Sequence, residues 1–242
     1  MVRRKTRYLL QSSPKLKPDF ISVTYGAGGS TTENTVEIAS KIKNEYSIEA
    51  VAHLSCIDAT PEQLIRVLDS LKANNIENVL ALRGDYPRGY DPMKAPHYYK
   101  YASELNDFIS KNYPDTFCLS GACYPEVHQE AASLEEDLIA LKKKVDAGAE
   151  YLITQIFFDN NYYYRLVREA RIRGINVPII AGIMPATNSK SLLNIAKLSG
   201  CNIPYNLSAS IERFKSNPQA MKEVGMNYAT NQIIDLITNG VD

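Results

Sequence analysis

Six times along the chain, a short β-rich apolar run gives way to a segment with helical start or stop signals. The runs are residues 19–25 (DFISVTY), 50–56 (AVAHLSC), 78–83 (NVLALR), 117–124 (FCLSGACY), 151–158 (YLITQIFF) and 177–184 (VPIIAGIM). Near-continuous hydrophobic runs of this length suit strands buried on both faces. The intervening segments carry caps. Ser30, Thr31, Thr32 and Glu33 fit a capping box ahead of Val36, Ala39 and Ile42. Thr60, Pro61, Glu62 and Gln63 place a cap, a first-turn proline and a glutamine ahead of Leu64, Val67, Leu68 and Leu71. Ser133 to Glu136 repeat the box before Leu138, Leu141 and Val145, and Gly148, Gly174 and Gly200 read as helix stops. Asn217 and Pro218 open a last, long helix towards Ile237. This alternation predicts βαβ units around a parallel sheet, an α/β fold. No Ser/Gly/Pro-rich linker interrupts it, so residues 1–242 read as a single domain. Connections after the strands are longer and richer in polar and aromatic residues than those after the helices. That asymmetry fits a barrel or a doubly wound sheet with its site at the strand C-terminal ends.

Composition narrows the function. Lys plus Arg and Asp plus Glu are both 27, so the net charge is zero and the basic excess of a dedicated nucleic-acid binder is missing. The apolar runs fall well short of the ~20 residues that span a bilayer. Residues 1–18 are basic, with only a two-leucine apolar stretch, which does not make a secretory signal. Cys56, Cys118, Cys123 and Cys201 show no CxxC spacing and read as buried free thiols in a reducing compartment. His53, His97 and His128 are too scattered for a zinc site, so no metal is expected, and the chain reads as cytoplasmic.

Candidate chemistry gathers where the strands end. Thr24 to Thr31 (TYGAGGST) follow the first run, and their glycines permit close backbone approach to a ligand. The segment is neither a Walker loop nor GxGxxG, and a plain turn into a capped helix explains it equally well. Arg83 and Asp85 close the third run and, by strand alternation, point the same way. They suit a structural ion pair or an anion clamp beside a charge that tunes a cofactor. His53 lies in an apolar strand, where a satisfied core histidine is the commoner case. Tyr124, Pro125, Glu126, Val127 and His128 bring an aromatic, a carboxylate and a histidine into one post-strand loop. Gln155 sits inside an apolar run, where an amide is costly to bury without partners. That suggests a ligand contact or an internal hydrogen bond. Lys142, Lys143 and Lys144 lie on a helix, where a charge run is usually a solvated face.

These segments, taken in order and spacing (PDFISVTYGAGGST, AVAHLSCIDATP, NVLALRGDYP, YPEVHQEA, LKKKVDAGAEYLITQIFFD and IIAGIMPATN), resemble the 5,10-methylenetetrahydrofolate reductase family from about Pro18 onward. The resemblance implies a TIM-type (β/α)8 barrel that binds FAD, oxidises NADH or NADPH, and reduces 5,10-methylenetetrahydrofolate to 5-methyltetrahydrofolate. It implies that Thr24 contacts the nicotinamide. It further implies that Tyr25, Ala27, His53, Arg83, Gly84, Asp85, Ala102, Tyr124, His128, Ala131, Asp137 and Lys144 line the flavin. Lys143 stands where close relatives have arginine. Asp85 and Gln155 would touch the folate, and Asp85 would tune the flavin. Arg83 and Lys144 suit a pyrophosphate.

The departures from the family pattern carry their own expectations. The family's first strand bears a glutamate taken as the general acid, and residues 1–10 (MVRRKTRYLL) do not match that strand. No glutamate precedes Glu33, which belongs to a helix cap. The last strand and helix, with a folate-contacting arginine, would follow Gly240, and Ser191 replaces a glutamine that touches folate in some relatives. Six of eight βα units are recognisable, and the first and last strands read as missing. Loss of a positioned general acid costs about 10²–10⁴-fold, so weak folate reduction is expected. The alternative is a non-catalytic flavin- or folate-binding protein, or a subunit that borrows strands from a partner. Either a homo-oligomer or such a partnership is anticipated.

Overall fold

The computed structural model describes residues 16–24, 32–85 and 98–241. Among them the elements alternate as the sequence dictates. The strands are β1 (Phe20–Val23), β2 (Glu49–Ser55), β3 (Asn78–Leu82), β4 (Cys118–Cys123), β5 (Ala149–Thr154) and β6 (Ile179–Ile180). The helices are α1 (Thr32–Ser40), α2 (Pro61–Ala73), α3 (Ala102–Asn112), α4 (Leu134–Asp146), α5 (Asn160–Ile172), α6 (Ser189–Ser199), α7 (Tyr205–Phe214) and α8 (Pro218–Thr238). A π-helical turn, Lys41–Glu45, follows α1. The strand order is β1-β2-β3-β4-β5-β6. The chain is an α/β protein with six strands in chain order among the described residues, and β1–β2, β2–β3, β3–β4 and β5–β6 pair in parallel.

The chain divides into two compact units, residues 1–121 with 143–150, and residues 122–142 with 151–242. In the first, strand alternation separates two faces. Ala50, Ala52 and Leu54 of β2, Val79 and Ala81 of β3 and Leu119 of β4 form a core with Leu64, Leu68 and Leu71 of α2 and with Leu105 and Ile109 of α3. The small alanines let the helices approach the sheet closely. The opposite face of β2 carries Val51, His53 and Ser55, with His53 beside Leu80 and Leu80 beside Ser120 in register. The second unit has its own core, from Phe158, Ala186, Leu192, Ala196, Leu207, Ile211 and Met221.

The caps form largely as expected. Thr60 Oγ1 accepts from Gln63 N–H at 3.2 Å, and Thr60 N–H donates to Gln63 Oε1 at 2.7 Å. Ser133 Oγ accepts from Glu136 N–H, but the Glu136 carboxylate turns to Ala132 N–H, so the second box is half made. The box at Ser30 falls largely outside the described residues. Gly148, Gly174 and Gly200 adopt φ of 109°, 72° and 71°, the left-handed conformation of a helix stop.

Two strands, β5 and β6, each end four residues before their apolar runs do. The 151–158 run is regular only to Thr154, and 177–184 only at Ile179 and Ile180. Thr154 Oγ1 accepts from Gly182 N–H at 2.8 Å, and a Cβ on Gly182 would lie 2.5 Å from Thr154 O. This side-chain bond and close approach take the place of a continued ladder. The helix α7 has no counterpart among the caps read from the sequence. No helix among the described residues is long and apolar enough to cross a membrane.

Candidate functional site

In the first unit the candidate residues follow β1, β2 and β3. Thr24 is exposed just past β1, and its carbonyl accepts from Thr35 Oγ1 at 3.1 Å. Tyr25 and Ala27 lie outside the described residues. His53 is half-buried in mid-strand, and burial pushes its pKa below the ordinary 6.5, so the imidazole is neutral at pH 7.

The pairing of β2 and β3 continues past their ends. Cys56 N–H donates to Leu82 O at 3.1 Å and Ile57 N–H to Arg83 O at 2.8 Å, while Ser55 Oγ donates to the same Arg83 carbonyl at 2.7 Å. Gly84 then turns at φ 88°, and a Cβ there would sit 2.0 Å from Ser55 Oγ. Only glycine meets both demands. Arg83 is half-buried and Asp85 exposed. The strand alternation from which both were expected to point the same way does not reach them, because β3 ends at Leu82 and Gly84 turns between them at positive φ.

Ala102 is the buried first residue of α3, whose N-terminus is closed by Glu104 accepting from Lys100 N–H at 2.5 Å and Tyr101 N–H at 3.1 Å. In α4, Lys143 is exposed and Lys144 half-buried. The fully buried Asn106 donates to Lys144 O at 3.2 Å, which pins that turn, and Asn106 Oδ1 meets no donor among the described residues. The lysine run is thus solvated at one position and half-buried at the next.

In the second unit the loop after β4 is closely organised. The Tyr124 and His128 rings meet edge to face, with centroids 4.6 Å apart. His128 N–H donates to Asp137 Oδ2 at 2.9 Å, and Ala131 N–H donates to His128 O at 2.9 Å. His128 Nδ1 accepts from Glu130 N–H at 3.1 Å, which places the ring proton of the neutral imidazole on Nε2 and makes that atom a donor. Thus Tyr124, His128, Ala131 and Asp137 do come together, and Asp137 acts on the loop backbone. Glu126 is half-buried, and burial pushes its pKa up against the opposing pull of the Asn202 donors.

Gln155 requires a correction. It lies one residue beyond β5 and is half-buried, not enclosed in a strand. Its N–H donates to Cys123 O at 2.7 Å, and its Oε1 accepts from Ile156 N–H at 2.9 Å. An internal hydrogen bond therefore exists, and the amide NH2 is the donor it offers.

Sequence reasoning passed over two neighbours of this loop. Arg165 of α5 reaches Pro125 O at 3.5 Å and lies 5.3 Å from the Tyr162 ring centroid, with Nε buried and without an acceptor among the described residues. Its one sequence signal is the Tyr162 to Arg165 spacing, which stacks the two on a helix face. Asn202, in the connection between α6 and α7, binds Glu126 from 76 positions away, and no local pattern announces it. Among the described residues, no group of three or more His, Cys, Asp or Glu is placed to hold a metal ion.

In the first unit, half-buried Arg83 and Lys144 and the neutral His53 are groups that suit an anionic or heteroaromatic ligand, and in the second unit His128 offers an oriented imidazole N–H. The comparisons with known proteins bear on which. The chain is 38% identical over 234 residues to methylenetetrahydrofolate reductase (NADH) 1 of Arabidopsis thaliana, covering 93% of this chain and 40% of the plant protein. It is 40% identical over 226 residues to 5,10-methylenetetrahydrofolate reductase of Escherichia coli (strain K12), covering 93% of this chain and 74% of the bacterial protein. The chain therefore spans well under half the length of the plant relatives. Among solved structures, an uncharacterized protein from Clostridium thermocellum that binds two copies of 5-methyl-5,6,7,8-tetrahydrofolic acid superposes with a TM-score of 0.56 at 14% identity, over 96% of this chain and 90% of that one. A 2,3-dimethylmalate lyase of the PEP mutase/isocitrate lyase superfamily superposes with a TM-score of 0.50 at 11% identity, over 96% and 89%. At these identities the likeness concerns the fold alone. The model of the family described as methylenetetrahydrofolate reductase matches residues 4–242, starting ahead of Pro18, and the chain belongs to that family.

Proposed function

We propose that this chain reduces 5,10-methylenetetrahydrofolate to 5-methyltetrahydrofolate with NADH or NADPH, using FAD, as a cytoplasmic one-domain barrel of the (β/α)8 type. The observation that carries the reading is the family match over residues 4–242, which runs through every strand end described above. The residue types suit FAD: in the first unit Arg83 and Lys144 suit a pyrophosphate and neutral His53 an uncharged polar edge, and in the second unit the Nε2–H of His128 suits such an edge as well. When bound, FAD supplies the carrier that accepts hydride from the nicotinamide and passes it to the folate.

The chain's own residues bind, orient and tune. Thr24, exposed after β1, would contact the nicotinamide, and Tyr25 and Ala27, outside the described residues, would contact the flavin. Gly84 allows the backbone to approach, and Asp85 puts a carboxylate after the turn, opposing negative charge on a bound redox group. Gln155, with Oε1 engaged by Ile156 N–H, presents its NH2 to an acceptor on the folate.

One observation favours a second reading for the polypeptide of residues 1–242. Asp19 is the only carboxylate among residues 1–32. With no glutamate ahead of Glu33 to serve as the family's general acid, the folate step would slow by about 10²–10⁴-fold, and the chain would act mainly as a flavin and folate binder. One experiment addresses both. The purified chain is mixed with FAD, and its visible spectrum is read before and after NADH and then after 5,10-methylenetetrahydrofolate. Flavin bands that bleach with NADH support the reductase, and rapid recolouring on folate addition refutes the slowed step. A chain that takes up no FAD refutes the assignment.

A further inference from the structure

We propose that Glu126 is a positioning residue for the loop that carries Tyr124 and His128, acting through Asn202 in the connection between α6 and α7. The part concerning the cofactor rests on the flavin reading above, and the part concerning the loop does not.

Both carboxylate oxygens of Glu126 accept from the Asn202 backbone N–H, at 3.0 and 2.9 Å, and the Asn202 side-chain NH2 donates to Oε2 as well. Charge-assisted bonds of this kind are roughly twice as strong as neutral ones. A second tie runs parallel to the first. Gln129 Nε2 donates to Leu198 O at 2.8 Å, across Gly200, where a Cβ would sit 2.6 Å from Gln129 Cγ. Gly200 therefore serves the loop as well as the helix stop.

Between the two tied residues stands Val127, at φ 78°. A β-branched side chain in the left-handed region is a true outlier. Such a residue persists only where its surroundings over-determine it. Here the determinants are Glu126 on one side and, on the other, His128 N–H held by Asp137 Oδ2 and Gln129 held by Leu198. The kink directs the chain so that Glu130 N–H reaches His128 Nδ1 and leaves Nε2–H as the ring donor. A carboxylate bonded to Asn202 thus sets the orientation of the His128 imidazole. The charged groups acting on Glu126 are Arg165 and Asp159, with Cys201 beside it, and Arg165 also reaches Pro125 O in this loop.

The test uses Glu126→Gln, Asn202→Ala and the double variant in the full chain. Amide hydrogen exchange is measured without flavin at residues 127–131 and 202, with α5 as the internal control, and the FAD dissociation constant is measured by flavin fluorescence. Exchange at His128 is expected to rise about tenfold in each single variant while α5 is unchanged. The FAD dissociation constant is expected to rise about tenfold, with the double variant no worse than Glu126→Gln alone, as for two residues acting through one contact. Unchanged loop exchange in both single variants overturns the proposal. A loosened loop with unchanged FAD affinity overturns the positioning role, as does strict additivity. A wild-type chain that takes up no FAD, with variants whose loops loosen, refutes the flavin reading and leaves the tie itself supported. If Glu126→Gln does not fold, Asn202→Ala, which keeps the backbone donor, decides by the same readouts.

Discussion

Replacing Gly225 by alanine isolates a single close approach in the second unit. Gly225 lies in the inward face of α8 with Met221, Ala229, Gln232 and Leu236. Its backbone is ordinary helix, so an alanine is conformationally welcome and, in open space, would stabilise the helix by about 1 kcal/mol. Space is the obstacle. A Cβ at Gly225 would lie 2.3 Å from both C and O of Ala186 and 2.8 Å from Thr187 N. These are main-chain atoms of a segment whose Ala186 is in the core, so no side chain can rotate away. Ordinary contact begins near 3.4 Å, so α8 must retreat by about 1 Å, and overpacking of this kind costs about 1–3 kcal/mol. The retreat also stretches two bonds that α8 makes to the loop after β5. Tyr228 OH donates to Phe158 O at 2.6 Å, and Gln232 Nε2 donates to Phe157 O at 3.2 Å. Each is worth about 1 kcal/mol. Offsetting the helix gain against these losses gives a net destabilisation of about 2–4 kcal/mol. Urea unfolding followed by circular dichroism measures it as a lower midpoint at unchanged slope. Gly174→Ala is the control: nothing lies within 4 Å of its Cβ position, so only the φ of 72° is penalised, by about 1 kcal/mol. A Gly225→Ala chain more stable than wild type would refute the close approach.

Further outcomes follow from the same geometry. Burial lowers the pKa of His53, so the unfolded chain gains a proton near pH 6.5 that the folded chain resists; stability should fall as pH drops below that value. The urea midpoint of His53→Gln should fall less than that of wild type between pH 7.5 and 5.5, and parallel profiles would contradict this. Burial pushes the Cys56 thiol up to about 12 and Cys118 to about 11, so both should resist iodoacetamide at pH 8 in the native chain and react on unfolding, as mass spectrometry would show. Thr60→Ala removes the acceptor for Gln63 N–H and should cost about 1 kcal/mol in the same urea assay, whereas an unchanged midpoint would show the α2 cap to be idle.

Part of the candidate site's local geometry was legible because it depends on neighbours in sequence. Arg83 and Asp85 could be flagged as a strand-end pair from order alone, and Tyr124 with His128 from their shared loop. What misled was treating a strand as continuing wherever apolar residues continue. Gln155 and Asp85 both sit past the point where backbone pairing or glycine geometry ends the alternation. Glu126 drew notice as a loop carboxylate, but its partner stands 76 residues away.

The chain's sequence by itself determined the succession of strands and helices and where most helices begin and stop. Those choices rest on interactions within a few residues: side-chain caps, first-turn prolines and left-handed glycines. The tertiary structure decided where β5 and β6 end, which carboxylate holds which loop, and where a helix must carry glycine to pass the backbone at Ala186. Those are contacts between segments far apart in sequence, and they exist only once hydrophobic burial has brought the segments together.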